Sequence, residues 1–424
     1  MDTIFALSSG AVPAAIAVIR ISGPEAAAAL QSLCGKLPSP GRASLRSLRS
    51  GPGEALDRAL VLWFPGPNSS TGEDVAELHL HGGRAVLAAV ETALGDMAKL
   101  RRATPGEFTR RAFANGRIDL AEAEGLADLL SAETELQRRS AIAMAGGAFS
   151  RQVDDWRGSV LRLSASLEAV LDFGDEDDVG ALPPDFAAGL GALSQDLNRW
   201  LAKPRVEVLR EGYRVVLAGP PNSGKSTLFN ALVEFDAAIT SEIAGTTRDV
   251  LSRTVGLEGM PFQFFDTAGL RGATSDVVEG MGIERALNTI DEADLVLWLG
   301  PERAGPKNAW EIEARCDLAG HAIKRAPRHK LSALTGQGVS ALRHDLVESA
   351  RRAMPKPGEA ALNERQHALL SIAASAMGSA AGLADPILVA EELRIARTAF
   401  DGLLGRTTTE DMLDTLFGRF CIGK

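Results

Sequence analysis

Cysteine is scarce in this sequence, and its three cysteines do not form a recognisable pair. Cys34, Cys316 and Cys421 lie far apart among the 424 residues, with no CxxC spacing. A disulfide framework or a cysteine zinc site needs more cysteines at closer spacing. The composition therefore argues against both scaffolds and predicts a reducing compartment.

Long apolar runs and an excess of basic residues are also missing. The longest stretch without a charge, residues 368–384, is rich in Ala, Ser and Gly and is short for a membrane span. The N-terminus carries Asp2 and no basic residues ahead of its apolar stretch, so we do not expect a signal peptide. A net charge of −10 argues against a broadly basic nucleic-acid surface, although arginines between residues 101 and 111 could form a local patch. These features predict a cytoplasmic protein without membrane association.

The first part of the chain mixes short strands with loops. Residues 14–22, 59–64 and 75–83 are apolar and are bounded by turn residues, which is typical of strands. We therefore expect an α+β domain over residues 1–117.

Helical periodicity begins after Ile118. Apolar residues from Val153 to Val170 recur at steps of three and four, which predicts a long helix packed against another helix. Near the end of the chain, one face of a last helix is predicted to carry Leu413, Leu416, Phe417 and Phe420.

Between the helical segments lies a stretch in which strands and helices alternate. Three candidate strands, each ending where a functional loop should begin, are YRVVLAG, PFQFFDTAG and DLVLWLG. This pattern predicts a doubly wound parallel sheet with its site at the carboxyl ends of the strands. Because insertion at exposed loops is well tolerated, we expect this α/β domain, residues 211–351, to be inserted into one helical domain, residues 118–210 and 352–424.

A phosphate-binding loop is predicted at GPPNSGKST, from Gly219 to Thr227. The segment matches GxxxxGK[ST] and lies between a strand and an apolar helix, as a P-loop requires. Its backbone N–H groups and the helix N-terminus would face phosphate oxygens. Lys225 would reach the β- and γ-phosphates, and Ser226 would bind Mg²⁺. The alternative interpretation is a glycine-rich turn.

Two further stretches follow in the order that a GTPase has. AGTTRD would offer Thr247 to Mg²⁺ and the γ-phosphate, while DTAG would place Asp266 near the metal and the Gly269 amide near the γ-phosphate. The glutamine that orients water in Ras-type switches is missing, since Leu270 follows DTAG. These motifs alone do not indicate which group handles the water.

The base-reading motif NKxD is missing in its usual form. The best candidate is ARCDLAG, in which Asp317 would pair with guanine, Arg315 could stack on the base, and Ala314 replaces asparagine. The alternative is a helix end with an incidental aspartate. Further along, LSALTG places Ser332 and Ala333 in the loop where GTPases contact guanine O6.

Other stretches extend the pattern beyond the nucleotide site. Along the chain occur TGEDVAELHLHGG, TPGEFTRRAFANGRIDLAEAEGLADL, the P-loop asparagine, GTTRD, DTAGLR, VVEGMGIERA and the terminal FCIGK. Together, and in family order over essentially the whole chain, they resemble the MnmE (TrmE) family of tRNA-modifying GTPases. The resemblance implies an N-terminal α+β domain that binds tetrahydrofolate, a helical domain and an inserted Ras-like P-loop G domain.

The resemblance also implies how the missing glutamine is bypassed. K⁺ would add the positive charge that stabilises the transferring phosphoryl group, and two G domains would face each other across a homodimer. Glu279 would orient the water, although from the residues alone Glu284, Asp276 or a merely solvated acid are alternatives. The K⁺ ligands would be Asn222, Ser241, Ile243 and Thr246.

The implied nucleotide site combines these positions with the motifs above. Lys225 and Glu279 would be catalytic, and Ser226 and Thr247 would hold Mg²⁺. The nucleotide-binding residues would be Asn222, Ser223, Gly224, Lys225, Ser226, Thr227, Ser241, Thr246, Thr247, Asp266, Thr267, Ala268, Gly269, Asp317, Ser332 and Ala333.

A folate site is implied at Arg20, Glu77, Arg117 and Lys424. Glu77 can bond the amino and ring N–H groups of a pterin, and the cations can meet the carboxylated tail. From the residues alone, each could equally be a surface charge.

Three other residues stand out near these positions. Cys421 could be a nucleophile, a redox group or a small apolar packing residue, and the resemblance places it beside the folate site. His79 and His81 alternate onto one strand face and are interpreted as structural or polar-site residues, since no third metal ligand is evident nearby in the sequence.

The function implied by the resemblance is a K⁺-stimulated GTP hydrolase that modifies tRNA. With the flavoprotein MnmG (GidA), it would install an aminomethyl-type group at C5 of the wobble uridine of certain tRNAs. The one-carbon donor would be a tetrahydrofolate derivative, in its 5-formyl or 5,10-methylene form.

Two other functions remain open from the residues. One is a regulatory or ribosome-assembly switch of the Era type, but such a switch has no use for the N-terminal stretch and CIGK. The other is a scaffold, against which the retention of Lys225, Ser226, Thr247 and Asp266 argues.

Overall fold

The computed structural model describes residues 2–51, 54–173, 183, 185–234, 252–266, 290–407 and 409–424. Within it the chain forms two compact units. The first comprises Met1–Ala127, Ser150–Asp155 and Thr398–Lys424, and the second comprises Asp128–Phe149 and Trp156–Arg397. The predicted domain boundaries, 1–117, 118–210 with 352–424, and 211–351, stay predictions.

A six-stranded sheet forms the core of the first unit. Its strands are β1 (Thr3–Leu7), β2 (Ile16–Ser22), β3 (Ser44–Ser50), β4 (Glu54–Phe64), β5 (Val75–His81) and β6 (Leu100–Arg102). Their order is β3-β4-β5-β2-β1-β6, and only the β1–β6 pair is parallel among the pairs described. The strands expected at 14–22, 59–64 and 75–83 are therefore present.

Two helices cover one face of this sheet, α1 (Ala26–Cys34) and α2 (Arg84–Gly95). Alternate residues of the strands, such as Ile19 and Leu78, are fully buried and pack with Leu30 of α1 and Val90 of α2. Successive side chains of a strand point to opposite faces of the sheet, so apolar residues at every second position all face the helices. This alternation in the sequence favours strands in these segments. A mixed content of strands and helices fits the predicted α+β character.

A second, smaller core of this unit involves α3 (Glu107–Ala114), α4 (Leu120–Ser131) and α13 (Glu410–Phe417). Leu120 packs with Leu413, Phe417 and Phe420. All four residues predicted for the last helix contact this core, but the predicted helix end is wrong: the helix stops at Phe417, since Gly418 follows at the cap position. Phe420 reaches the same core from the turn after the helix.

The second unit contains helices that lie wholly or largely within it. They include α5 (Glu135–Ala145), α6 (Ala148–Phe173), α7 (Phe186–Leu201), the short α8 (Val206–Glu211), α11 (Glu364–Gly382) and α12 (Pro386–Leu403). Helix α6 confirms the predicted long helix. It packs against α7, where the Trp156 indole N–H donates to Asp196 Oδ2 over 2.7 Å. In the described parts of the chain, no helix is both long and apolar enough to cross a membrane.

The second unit also contains a six-stranded sheet. Its strands are β7 (Tyr213–Ala218), β8 (Ser252–Leu257), β9 (Met260–Asp266), β10 (Leu295–Trp298), β11 (Trp310–Glu313) and β12 (His329–Lys330). Their order is β12-β11-β10-β7-β9-β8, with β8 antiparallel and the other pairs parallel. Helices α9 (Lys225–Glu234) and α10 (Val339–Ala353) pack on one face. The strand order reverses beside β7, so a ligand site is expected at its carboxyl end.

The expected alternation of strands and helices is wrong between β10 and β12. Residues 299–309 and 314–328, which are all described, contain turns and loops but no helix. The first crossover carries GPERAGP and the second LAGHAIKRAP, and their Gly and Pro residues interrupt helices. The second crossover carries Lys324, which is only 7% exposed. Its ammonium donates to the Trp298 carbonyl over 2.8 Å and to the Glu311 carboxylate over 2.6 Å.

Candidate nucleotide site

The predicted P-loop joins β7 to α9, as its motif requires. Gly219 and Gly224 have backbone φ angles of 150° and 98°, which residues other than glycine rarely adopt. Asn222 has a φ of 61°, a left-handed conformation that asparagine tolerates better than most residues. A Cβ atom at Gly219 would lie 3.0 Å from the Gly300 nitrogen, so glycine is needed there for space as well.

The lysine and serine of the loop are both fixed by neighbouring oxygens. Lys225 is 4% exposed, and its ammonium donates to the carbonyls of Gly219 at 3.0 Å and Pro220 at 2.8 Å. The Ser226 hydroxyl donates to Asp266 Oδ2 over 2.6 Å. A hydroxyl and a carboxylate at this distance form a donor set that Mg²⁺ prefers. Ser226 and Asp266 therefore fit the metal role predicted for them.

The candidate base-reading loop begins directly after β11. The alternative of a helix end is wrong, because Ala314–Asp317 follows a strand. Arg315 has a φ of 60°, and its guanidinium donates to the Asn222 carbonyl over 2.8 Å. The side-chain stem of Arg315 lies over Gly224, where its Cγ atom would be 3.3 Å from an added Cβ. Arg315 thus connects the candidate base-reading loop to the P-loop.

Asp317 is joined to the last of the three loops. Its side chain is hydrogen-bonded to Ser332, and this bond is the main reason that the pKa of Asp317 is lowered. Ser332 is fully buried, and its hydroxyl also accepts a hydrogen bond from the Thr335 N–H over 3.2 Å. The aspartate is thereby held ionised and oriented beside the LSAL loop.

A cavity of about 810 Å³ connects these three loops. It brings together predicted residues that are far apart in sequence: Asn222, Gly224, Lys225, Ser226, Thr227, Asp317, Ser332 and Ala333. Ser223 is not among the lining residues. Leu334 of the LSALTG loop and Leu318, which the sequence analysis did not single out, are exposed apolar residues that also line the cavity. The signal for Leu318 was weak, since this residue lies outside the part of the motif that would contact the base edge.

Several predicted site residues lie outside the part of the chain that the structure describes. They are Ser241, Ile243, Thr246, Thr247, Thr267, Ala268, Gly269 and Glu279. Their predicted roles stay predictions.

Two of the predicted folate residues meet on the sheet of the first unit. Arg20 of β2 and Glu77 of β5 are cross-strand partners, and the guanidinium donates twice to Glu77 Oε1, at 2.8 and 3.0 Å. The His79 Nε2 atom lies 3.4 Å from the other carboxylate oxygen. Since both residues are partly exposed, this pair presents one anion and one cation on the open face of the sheet.

The C-terminal tail is seated on the end of β1. Ser8 Oγ donates to the Gly423 carbonyl over 2.9 Å, and a Cβ atom at Gly423 would lie 2.1 Å from the Leu7 oxygen. Lys424 follows this contact, and Cys421 is exposed. In the structure neither Arg117 nor Lys424 is hydrogen-bonded to Glu77, although both belong to the first unit.

The two histidines and the arginine patch are all paired with carboxylates. His79 meets Glu77, and His81 Nδ1 lies 2.7 Å from Asp57 Oδ1. No group of three or more potential metal ligands occurs among the residues that the structure describes. The arginines of the possible basic patch bind Asp2, Glu73, Glu91, Glu107, Glu410 and Asp414. The patch is therefore electrostatically neutralised within the chain.

Comparisons with known proteins match the whole chain. The model of the MnmE helical domain matches residues 120–421, and that of the GTP-binding protein TrmE N-terminus matches residues 3–117. The tRNA modification GTPase MnmE of Novosphingobium aromaticivorans is 62% identical over 435 residues, which cover 100% of both chains. The protein of the same name from Erythrobacter litoralis is 61% identical over 424 residues, again 100% of both. Among solved structures, the G domain of the T. maritima FeoB iron transporter aligns with 32% of this chain and 98% of its own, at 24% identity and a TM-score of 0.23.

Proposed function

The chain belongs to the MnmE family of tRNA modification GTPases, and we propose that it is a K⁺-stimulated GTP hydrolase whose cycle drives modification of the wobble uridine. The observation that carries the GTPase part is the convergence of three loops on one cavity. Ser226, whose hydroxyl donates to Asp266, lines the proposed phosphate end of the cavity, and Asp317 and Ser332 line the proposed base end. An aspartate held ionised suits guanine, whose N1 and N2 groups are both donors.

The phosphate end supplies groups for binding and for charge stabilisation. The Lys225 ammonium is bound to two P-loop carbonyls, and from there it would reach the β- and γ-phosphates. Ser226, with Thr247, would hold Mg²⁺, whose charge neutralises the phosphate oxygens. Asn222 would hold K⁺ with Ser241, Ile243 and Thr246, and Glu279 would orient the attacking water. Asn222 lines the same cavity as Lys225 and Ser226, which supports this role.

Folate binding is proposed for the first unit. Arg20 and Glu77 offer a cation and an anion side by side, which suits a ligand with donor groups at one end and carboxylates at the other. Arg117 and Lys424 would add cations, and Cys421 lies exposed near Lys424. The ligand would be a 5-formyl or 5,10-methylene tetrahydrofolate, which supplies the one-carbon unit.

The assembly is also a proposal. The chain would act as a homodimer with facing G domains and would work on tRNA together with the flavoprotein MnmG (GidA). Its product would be an aminomethyl-type group at C5 of the wobble uridine. The domains would be the folate-binding domain at 1–117, the helical domain at 118–210 and 352–424, and the inserted G domain at 211–351. The cytoplasmic location stays a prediction from the sequence.

GTP turnover in K⁺ and in Na⁺, at matched ionic strength, tests the proposed hydrolysis. We expect much faster turnover in K⁺, because the monovalent cation would supply charge where Leu270 leaves no glutamine. Equal, slow rates in both salts would reject the K⁺ mechanism and favour a switch of the Era type.

A further inference from the structure

A buried carboxylate lies directly before the candidate base-reading loop. Glu313 is the last residue of β11, only 2% exposed, and Ala314 follows it. An ionised carboxylate in such a position is costly unless it is paired and hydrogen-bonded. Glu313 belongs to none of the motifs that indicated the nucleotide site.

Three groups from beyond the loop bind this carboxylate. The Lys330 ammonium lies 2.9 Å from Oε1, and His321 Nε2 lies 3.0 Å from the same oxygen. The other oxygen accepts the Lys324 N–H over 2.9 Å. The Lys330 contact is the first cause that lowers the pKa of Glu313 to about 2, so the group is ionised at neutral pH. Both oxygens are therefore used to fix the chain that returns after the loop.

His321 connects the carboxylate to the loop itself. Its Nδ1 atom lies 3.0 Å from the Leu318 carbonyl oxygen, while its Nε2 atom faces Glu313. The Leu318 N–H in turn donates to the Arg315 carbonyl over 3.0 Å. The segment that carries Asp317 is thus held between the strand end and the imidazole.

The contacts of Glu313 and His321 matter because Ala314 stands where the NKxD motif has asparagine. An asparagine at this place could donate and accept hydrogen bonds to neighbouring loops, whereas the alanine methyl group can do neither. The loop has three other contacts with its neighbours: Arg315 donates to the Asn222 carbonyl over 2.8 Å, the Cys316 N–H donates to the Leu331 carbonyl over 3.2 Å, and Asp317 is hydrogen-bonded to Ser332. None of these three contacts involves Leu318, at the far end of the loop.

We propose that Glu313 is a positioning residue for base recognition, which acts through His321 to hold Asp317 where it reads the guanine 2-amino group. The proposal rests on the proposed role of Asp317. It assigns guanine preference in this chain to a buried ionic contact that replaces the usual asparagine.

Affinities for GDP and for IDP, which lacks the 2-amino group, test this proposal in the full-length protein by calorimetry with Mg²⁺. We expect Glu313→Gln to lower the GDP-to-IDP affinity ratio by about tenfold, the size of one lost hydrogen bond to a charged group. The affinity for IDP should change much less, because the phosphate contacts are intact. A general loss of structure would weaken both nucleotides alike and leave the ratio unchanged.

Glu311→Gln is the matched control. Glu311 lies on the same face of β11 and binds the Lys324 ammonium at 2.6 Å, but it has no contact with His321. The GDP-to-IDP affinity ratio of Glu311→Gln should equal that of the wild type. If Glu313→Gln does not fold, His321→Ala serves as the second variant, since it breaks the tie to Leu318 and leaves Glu313 with Lys330.

The outcomes separate the proposal from its premise. A wild-type preference for GDP that persists in Glu313→Gln and His321→Ala would overturn the positioning role alone. A wild-type ratio near one would overturn the assignment of Asp317, and the positioning role with it.

Discussion

Ser226 Oγ and Asp266 Oδ2 lie 2.6 Å apart although the two residues are 40 positions apart in the sequence. Strand register explains this contact, because β7 and β9 are parallel neighbours in which Leu217 pairs with Asp266. The P-loop leaves the carboxyl end of β7 and returns as α9, which places Ser226 above the end of β9. The sheet therefore brings together the two oxygen groups that we propose near the Mg²⁺ ion.

Removing the Ser226 hydroxyl should weaken Mg²⁺-dependent nucleotide binding. In Ser226→Ala we expect the gain in GDP affinity on adding Mg²⁺ to fall by about tenfold to a hundredfold, as is typical for lost metal-site contacts. Affinity in the presence of EDTA should stay close to the wild-type value, and this comparison is an internal control. An unchanged gain with Mg²⁺ would show that Ser226 is not a metal ligand.

Replacing Asn222 by glycine should remove the K⁺ advantage in GTP turnover. Glycine is the suitable replacement, since Asn222 has a φ of 61° and an alanine there would add backbone strain. The Asn222 carbonyl, which accepts from Arg315 over 2.8 Å, is kept in the variant. We expect turnover in K⁺ to fall to the Na⁺ rate while GDP affinity changes less than about threefold. Equal loss in both salts would reject Asn222 as an ion ligand.

The sequence predicts the phosphate end of the site better than the base end. Gly219 to Thr227 are consecutive, so their motif contains the local geometry that phosphate requires. Asp317 and Ser332 are brought together by the register of β11 and β12, which neither motif specifies. For the same reason no sequence pattern indicated Glu313, since Lys330 reaches it from the neighbouring strand β12, and His321 and Lys324 reach it from the loop between β11 and β12.

Local sequence also contained information that the expectation of regular alternation overrode. Gly300, Pro301, Gly305 and Pro306 lie in the crossover from β10 to β11 and argue against a helix there. In the first unit, Arg20 and Glu77 were named only through family resemblance. Their contact depends on the antiparallel register of β2 and β5, which a single sequence leaves undetermined.

Acid should loosen α3 through Glu107. Burial raises the pKa of this carboxyl, but hydrogen bonds from Arg101, the Thr104 N–H and Arg111 outweigh it and lower the pKa from 4.5 to about 2. Because the folded-state pKa is the lower one, the stabilisation is complete above about pH 4.5 and is lost as the pH falls towards 2.

Glu107→Gln should remove this pH-dependent contribution. We expect a loss of about 2 kcal/mol at pH 7, typical of hydrogen bonds between charged groups, and a smaller difference from wild type near pH 3. Hydrogen exchange of peptides that cover α3 measures the local stability of this helix, and Glu54→Gln, at an exposed position, is the control. A difference from wild type that is the same at both pH values would contradict the role of the carboxylate charge.

A methyl group at Gly423 should displace the C-terminal tail. The φ of Gly423 is 94°, and its Cβ atom would lie 2.1 Å from the Leu7 oxygen, which is backbone and cannot move aside alone. The bond from Ser8 Oγ to the Gly423 carbonyl would be strained as well. Since Lys424 follows immediately, its ammonium would leave the position proposed for it beside the folate ligand.

We therefore expect Gly423→Ala to lower tetrahydrofolate affinity by about tenfold, the size of one lost charge-assisted contact, while GTP turnover stays at the wild-type rate. Ile422→Ala is the matched control, because Ile422 is 58% exposed and its truncation leaves the backbone seat intact. Lys424→Ala should resemble Gly423→Ala, since both remove the ammonium from the site. If Gly423→Ala binds folate normally while Lys424→Ala does not, the ammonium reaches the ligand without the seat on Leu7. If both bind normally, the tail has no part in the folate site.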